Sequence, residues 1–291
     1  MEILRAAHLG MCFGVRDAIA LALERAETGP LTILGDLVHN PTVLGALDAK
    51  GIAVAADVEQ VTTPTVMVTA HGTSQRILGR ARAVGLTVAE ATCPLVDVAH
   101  RAVADLARDG YHVVVVGQRD HGEVRGLTGD LDRFDVVLDL IDVLALEEHP
   151  RIGVVAQTTQ AIEKVRHLVD LIRRRFPQSD VRFVDTVCKP TKDRQTAAVE
   201  IARLADVVIV VGGRSSNNTR ELVTTCARHC DRVHHVETEA DVRPEWFEDA
   251  NVVGLTAGTS TPDDVVDRVD ACIREIEART RALAHGVQRR Q

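Results

Sequence analysis

The chain has 291 residues, of which 45% are hydrophobic, and that apolar share excludes a disordered chain. Its 34 Lys and Arg against 42 Asp and Glu leave a formal charge of −8, which argues against binding nucleic acid or an anionic membrane by bulk electrostatic attraction. Aromatic residues make up 2% of the chain, so few side chains are available to stack on bases.

Short Val/Ile/Leu runs alternate with longer amphipathic stretches, the pattern of parallel sheets with helical crossovers. In chain order the pattern predicts a helix over 15–27, strands over 31–34 and 66–69, and helices over 75–84 and 95–108. Strands over 113–116 and 152–155 follow, with helices over 162–175 and 194–205. A strand over 207–211, a helix over 220–229, a strand over 252–255 and a helix over 262–280 complete it.

Met1 to His8 contains no basic segment leading into an apolar stretch and cleavage site. The longest apolar runs fall far short of the ~18 residues of a spanning helix. The expectation is a cytoplasmic protein with no membrane and no nucleic-acid partner. In a reducing compartment Cys12, Cys93, Cys188, Cys226, Cys230 and Cys272 are not expected to form disulfides, and their spacing lacks the close pairs of a zinc finger.

Three of these cysteines share one local pattern, a short segment, the cysteine, then a helix: Leu9-Gly-Met-Cys12-Phe-Gly-Val, Glu90-Ala-Thr-Cys93-Pro-Leu-Val and Asp185-Thr-Val-Cys188-Lys-Pro-Thr. A polar loop follows each at near-constant distance, around His39, His121 and Ser215-Ser216-Asn217. A second loop closes each unit: Ala70-His71-Gly-Thr-Ser, Gln157-Thr158-Thr159 and Ala257-Gly-Thr259-Ser260-Thr. The economical reading is three α/β domains about an approximate threefold axis: 13–92, 93–187, and 188–278 with 1–12 packed against it, followed by a flexible tail over 279–291. One cysteine stands at or just before the start of each, and each contributes two loops at the carboxyl ends of its strands, where α/β sheets bind ligands.

Soft sulfur donors select zinc, copper(I) or iron–sulfur clusters. Three protein ligands leave one position open, as catalytic sites do. A 4Fe-4S cluster on three cysteines and a zinc site with one exchangeable position, as in a hydrolase, are the competing readings. Cys226, Cys230 and Cys272 fall within helical patterns and read as small apolar core residues. The loops are rich in His, Ser, Thr and Asn, which can hold a phosphate through neutral donors. Neither a Walker loop nor a dinucleotide fingerprint is present to support nucleotide binding.

Taken in order, Gly10-Met-Cys12-Phe-Gly-Val-Arg-Asp, Val38-His39-Asn40, Ala70-His71-Gly-Thr-Ser-Gln, Ala91-Thr-Cys93-Pro-Leu-Val and Gly117-Gln-Arg-Asp-His121-Gly-Glu123-Val resemble the 4-hydroxy-3-methylbut-2-enyl diphosphate (HMBPP) reductases, the LytB family. Gln157-Thr158-Thr159, Thr186-Val-Cys188, Ser215-Ser216-Asn217 and Thr256-Ala-Gly-Thr-Ser260-Thr-Pro extend the resemblance, which covers residues 3–276. The resemblance implies a trefoil-like α/β fold around a 4Fe-4S cluster held by Cys12, Cys93 and Cys188, with a 3Fe-4S form after oxidation. It assigns diphosphate binding to His39, His71, His121, Ser215, Ser216, Asn217 and Ser260. It places Thr158 and Glu123 beside the allylic hydroxyl, with Glu123 the acid and His121 assisting. The implied reaction is the two-electron reductive dehydroxylation of HMBPP to isopentenyl and dimethylallyl diphosphates, last step of the methylerythritol phosphate route. A ferredoxin or flavodoxin-type protein would supply the electrons. Gly122 stands where the family usually has Pro, Lys189-Pro190 follows Cys188, and Gly213-Arg214 precedes the serine loop. These departures leave room for a divergent paralogue on a related allylic diphosphate; a non-catalytic, cluster-binding redox sensor of the same fold is the other alternative.

Overall fold

Runs of valine too apolar for one-sided strands set the architecture. The protein is described by a computed structural model over residues 1–288, with side chains through residue 279. In chain order the strands are β1 (Glu2–Arg5), β2 (Leu31–Leu34), β3 (Ala53–Ala55), β4 (Thr65–Val68), β5 (Thr87–Glu90), β6 (His112–Val116), β7 (Phe134–Val137), β8 (Arg151–Ala156), β9 (Asp180–Phe183), β10 (Val207–Val211), β11 (Val233–Val236) and β12 (Val252–Ala257). The helices are α1 (Phe13–Thr28), α2 (Pro41–Asp48), α3 (Gln75–Ala83), α4 (Pro94–Arg108), α5 (Gly122–Thr128), α6 (Leu140–Ala145), α7 (Ile162–Arg175), α8 (Lys189–Ala202), α9 (Asn217–Cys226) and α10 (Asp263–Gln288).

The strands form three four-stranded sheets of one design, ordered β3-β2-β4-β5, β7-β6-β8-β9 and β11-β10-β12-β1. Every pairing is parallel. In the first two, the chain starts at an inner strand, steps out to one edge, then returns across to the other side; in the third, β10, β11 and β12 follow the same path. The order therefore reverses between β2 and β4, between β6 and β8, and between β10 and β12, and ligands of α/β sheets bind at such switch points. The amino-terminal strand β1 completes the third sheet, pairing Glu2 with Val252.

The chain divides into two compact units, Phe13–Lys192, and Met1–Cys12 with the chain from Asp193 onward; the division falls inside α8. In the first, Val114 and Val116 of β6 pack with Leu168, Val169 and Ile172 of α7, while Val113 and Val115 face Val103 and Leu106 of α4. In the second, Ile209 and Val211 of β10 meet Val265, Val269 and Ile273 of α10, while Val208 and Val210 meet Ala198, Ile201 and Leu222. Strands covered on both faces read as continuous apolar runs, which is why the inner strands are visible in the sequence.

Edge strands are not. β3 is three residues long and mostly exposed, and β9 alternates exposed with half-buried positions. Two helices begin earlier than expected. α8 starts at Lys189 rather than at 194, because Pro190 lies in its first turn, where a missing N–H costs nothing. The N–H groups of Thr191 and Lys192 both donate to the Cys188 carbonyl. α9 starts at Asn217, with the Ser216 hydroxyl accepting from the Thr219 N–H. Cys226 and Cys230 are buried as expected among Ala198, Ile201 and Leu222, and Cys272 is half-buried against the separate cluster of Val265, Val269 and Ile273. The tail expected from residue 279 begins within α10, and residues 289–291 lie outside the described residues. Among the described residues no helix is long and apolar enough to cross a membrane.

Candidate functional site

The three patterned cysteines have one backbone environment, repeated. Each follows the last strand in its sheet's order (β1, β5 or β9) and directly precedes α1, α4 or α8. The Cys12 N–H donates to the Thr259 carbonyl at 2.9 Å, that of Cys93 to Ala70 at 3.1 Å and that of Cys188 to Thr158 at 3.0 Å. Each acceptor lies just beyond the inner strand β12, β4 or β8 of the same sheet, so the local repeat expected from spacing is present in the hydrogen bonds. All three cysteines are half-buried thiols outside any disulfide. Burial pushes the Cys226 thiol up to about 12, as suits an inert core residue.

One side chain and one backbone position lie against these sulfurs, and of them Gly14 escaped the sequence reading. The Thr191 hydroxyl lies 3.1 Å from Cys188 Sγ. On α1, a Cβ built at Gly14 would stand 2.4 Å from Cys93 Sγ, so the helix backbone lies against the sulfur and a side chain at 14 would displace it. A glycine inside a helical pattern, two residues after a cysteine, was the available signal. Sulfur donors and a backbone cradle bare of side chain fit a sulfur-ligated metal centre.

Within Phe13–Lys192, the loops beyond β2, β4 and β6 bring His39, His71 and His121 together, with ring centroids 4.8–5.0 Å apart. The Glu123 N–H donates to His121 Nδ1 at 3.1 Å, which places the ring's own proton on Nε2, 3.1 Å from His39 Nε2. Burial, reinforced by His39, pulls the His71 pKa down to about 3, so that ring is neutral near pH 7. A cavity of about 410 Å³ opens beside His39 and His71. His112, Asp135 and His149 also cluster, but elsewhere on this unit. The His112 and His149 rings stack at 3.7 Å with planes 9° apart, so one ion cannot lie in both planes, and the 2.8 Å contact of His112 with Asp135 accounts for the group.

Glu123, in the first turn of α5, is 1% exposed. Its carboxylate accepts from the Thr158 N–H at 2.6 Å and pairs with the Thr158 hydroxyl at 2.9 Å. Burial pushes its pKa up to about 7 against the opposing pull of these two bonds. Near neutrality the group exchanges a proton readily, and as an acid it can donate to Thr158 Oγ1, whose own proton can pass onward. Thr158 thus links the acid on its N–H and hydroxyl side to Cys188 on its carbonyl side.

Gly122 opens α5. Its backbone φ is not left-handed, a Cβ there would have only ordinary contacts with His71, and the preceding His121 has ψ 139°. Proline suits that first helical position. Gly122→Pro is therefore expected to stabilise the fold by about 0.4–1 kcal/mol through a stiffer unfolded chain. A lowered midpoint in thermal or urea unfolding would contradict this.

In the other unit, Ser215, Ser216 and Asn217 follow β10 and Ser260 follows β12, the two strands flanking that sheet's switch point. Ser215 is exposed, whereas Ser216, Asn217 and Ser260 are buried. The Ser260 hydroxyl has no hydrogen-bond partner, which suits a loop built to receive acceptor atoms of a ligand. Gly212 has φ +151°, and a Cβ there would strike the hydroxyls of Thr219 and Thr261 at 2.5 and 2.8 Å. The expected residues are accordingly gathered in two sets: the histidines, Glu123, Thr158, Cys93 and Cys188 in one unit, and Cys12, the serines and Asn217 in the other.

Known proteins are similar to this chain over nearly its whole length. The profile of a family described as LytB protein matches residues 3–274. A 4-hydroxy-3-methylbut-2-enyl diphosphate reductase of Geobacter metallireducens is 38% identical over 281 residues, covering 96% of this chain and 99% of that protein. That of Aquifex aeolicus is 36% identical over 282 residues, covering 95% and 97%. The solved structure of the E-1-hydroxy-2-methyl-but-2-enyl-4-diphosphate reductase from Plasmodium falciparum superposes with a TM-score of 0.86 at 28% identity, covering 91% of this chain and 86% of that one.

Proposed function

The chain belongs to the LytB protein family, and on that premise we infer that it is a 4-hydroxy-3-methylbut-2-enyl diphosphate reductase. It is an iron–sulfur oxidoreductase that removes the allylic hydroxyl of HMBPP with two electrons and gives isopentenyl and dimethylallyl diphosphates. The observation that carries the reading is the buried Glu123–Thr158 pair, an acid poised near pH 7 and joined through one threonine to the Cys188 backbone.

Cys12, Cys93 and Cys188 would hold the cluster, which when bound supplies single electrons and a Lewis-acidic iron. The cradle at Gly14 and the hydroxyl of Thr191 shape the surroundings of two of those sulfurs. His39, His71 and His121 present ring nitrogens to the diphosphate, and Ser215, Ser216, Asn217 and Ser260 present hydroxyl and amide groups. These donors carry little net charge, which fits an acidic protein that binds an anion locally. Glu123 holds the proton at its carboxyl group and Thr158 Oγ1 passes it to the departing hydroxyl, which leaves as water. His121 keeps the Glu123 backbone in place through Nδ1.

One sheet in each of the segments 13–92, 93–187 and 188–278 with 1–12 supports a division into three α/β domains. A ferredoxin or flavodoxin-type donor and a cytoplasmic location complete the proposal. Anaerobic turnover of HMBPP with reduced methyl viologen is the test. Protein carrying iron and acid-labile sulfide should form both products. A fully loaded sample that binds substrate without turnover would favour the sensor reading, and an active, colourless zinc form would remove the cluster.

A further inference from the structure

Two threonines of the repeat are held in the same way by different groups. Thr158 gives its N–H to the Glu123 carboxylate and takes the Cys188 N–H on its carbonyl. Thr259 gives its N–H to Asn218 Oδ1 at 3.0 Å and takes the Cys12 N–H on its carbonyl at 2.9 Å. Asn218 stands as far beyond Cys188 in the chain as Glu123 does beyond Cys93, and each lies in the first turn of the helix, α9 or α5, that follows an inner strand of its sheet, β10 or β6.

We propose that Asn218 is a positioning residue, the uncharged counterpart of Glu123, which couples the anion-binding loops of Ser216, Asn217 and Ser260 to the backbone of Cys12. The proposal rests on the diphosphate reading of those loops. Its physical basis is one rigid peptide: the Thr259 carbonyl that accepts the Cys12 N–H and the nitrogen of Ser260 belong to the same plane. Asn218 clamps the peptide just before it. A ligand that draws in Ser260 therefore tightens the acceptor of the Cys12 N–H, provided the Asn218 clamp supplies a fixed end.

The amide orientation is settled by chemistry, since only oxygen can accept the Thr259 N–H. Nδ2 is left buried without a partner, as is the Ser260 hydroxyl, and Asn218 itself is 2% exposed. Oxygens of a bound anion would meet both unmet groups. A carboxylate at 218 would keep the clamp but repel that anion, which accounts for an amide here and an acid at 123.

Amide hydrogen exchange of residues 9–13 in the cluster-loaded protein, with and without inorganic diphosphate, tests the coupling. In the unsubstituted protein saturating diphosphate should slow exchange at Cys12 about tenfold. Asn218→Ala should still bind diphosphate by calorimetry but lose the slowing. Asn218→Ser, too short to reach Thr259, should lose it too should the alanine variant unfold. Asn218→Asp, which keeps the acceptor, should restore the slowing once the weaker binding is saturated. Slowing that persists without the amide, or that aspartate fails to restore, overturns the proposal. If the unsubstituted protein binds diphosphate but Cys12 exchange does not change, only the coupling falls. If it binds none, the diphosphate reading of the loops falls as well.

Discussion

Glu123→Gln is expected to lower turnover by about a hundred- to ten-thousand-fold, the range lost when a positioned general acid is removed. Iron content should not change. Gln keeps both contacts, because its oxygen can accept the Thr158 N–H and its amide can donate to Thr158 Oγ1, the hydroxyl that in the parent protein donates to Glu123. What it lacks is a proton to release. The titratable groups gathered around this carboxyl are His121, which accepts the Glu123 N–H, and its neighbours His39 and His71, the last held neutral by burial. In the parent protein the rate should fall as pH rises through about 7, where Glu123 gives up its proton. Stability should move in the same direction. The folded-state pKa of about 7 exceeds the ordinary 4.5, so the folded state binds the extra proton. That contribution is complete below pH 4.5 and is lost as pH rises through 7, by about 3 kcal/mol in all. Gln escapes the loss, so the variant should be inactive yet more stable than the parent in urea at pH 8. A Gln variant with unchanged rate removes Glu123 from proton delivery. One no more stable than the parent at pH 8 shows that the buried carboxylate costs nothing there.

This pairing of lost activity with gained stability also shows what a sequence can and cannot display. The inner strands declare themselves through runs such as Val113–Val116, because both faces are buried. The edge strands β3 and β9 do not, because half of each faces water. The spacing of Cys12, Cys93 and Cys188 reveals the repeat, and the hydrogen bonds of their N–H groups give it a physical form. Proximity across the chain leaves weaker traces. Nothing local to Gly14 announces that it lies against Cys93, and nothing in Ser216-Asn217-Asn218 distinguishes the last residue from a helix-capping neighbour. Pro190 misleads in the opposite sense. Proline breaks a helix interior, whereas in a first turn it starts the helix, here leaving Thr191 beside Cys188.

Gly14→Ala separates local helix preference from the demands of the cysteine site. On propensity alone the change should help α1, since alanine is favoured over glycine by up to about 1 kcal/mol inside a helix. The added methyl, however, would stand 2.4 Å from Cys93 Sγ and 3.0 Å from Cys93 Cβ, so either the sulfur or the helix must move. The sulfur sits at the N-cap of α4, pinned behind Pro94 and through its N–H to Ala70, and its side chain has rotameric freedom that the backbone lacks. The sulfur is thus the part that yields. Gly14→Ala protein should fold with undiminished stability and yet retain a small fraction of the parent's iron and sulfide after anaerobic reconstitution. Cys93→Ser should lose the cluster as fully, because a hard, short hydroxyl replaces a soft sulfur. Cys226→Ala should keep it, because that thiol is buried in the core and held as a thiol. Iron retained at parental levels in Gly14→Ala would mean that Cys93 can ligate from a second rotamer. Iron lost equally in Cys226→Ala would mean that the assay reads general destabilisation rather than ligand position.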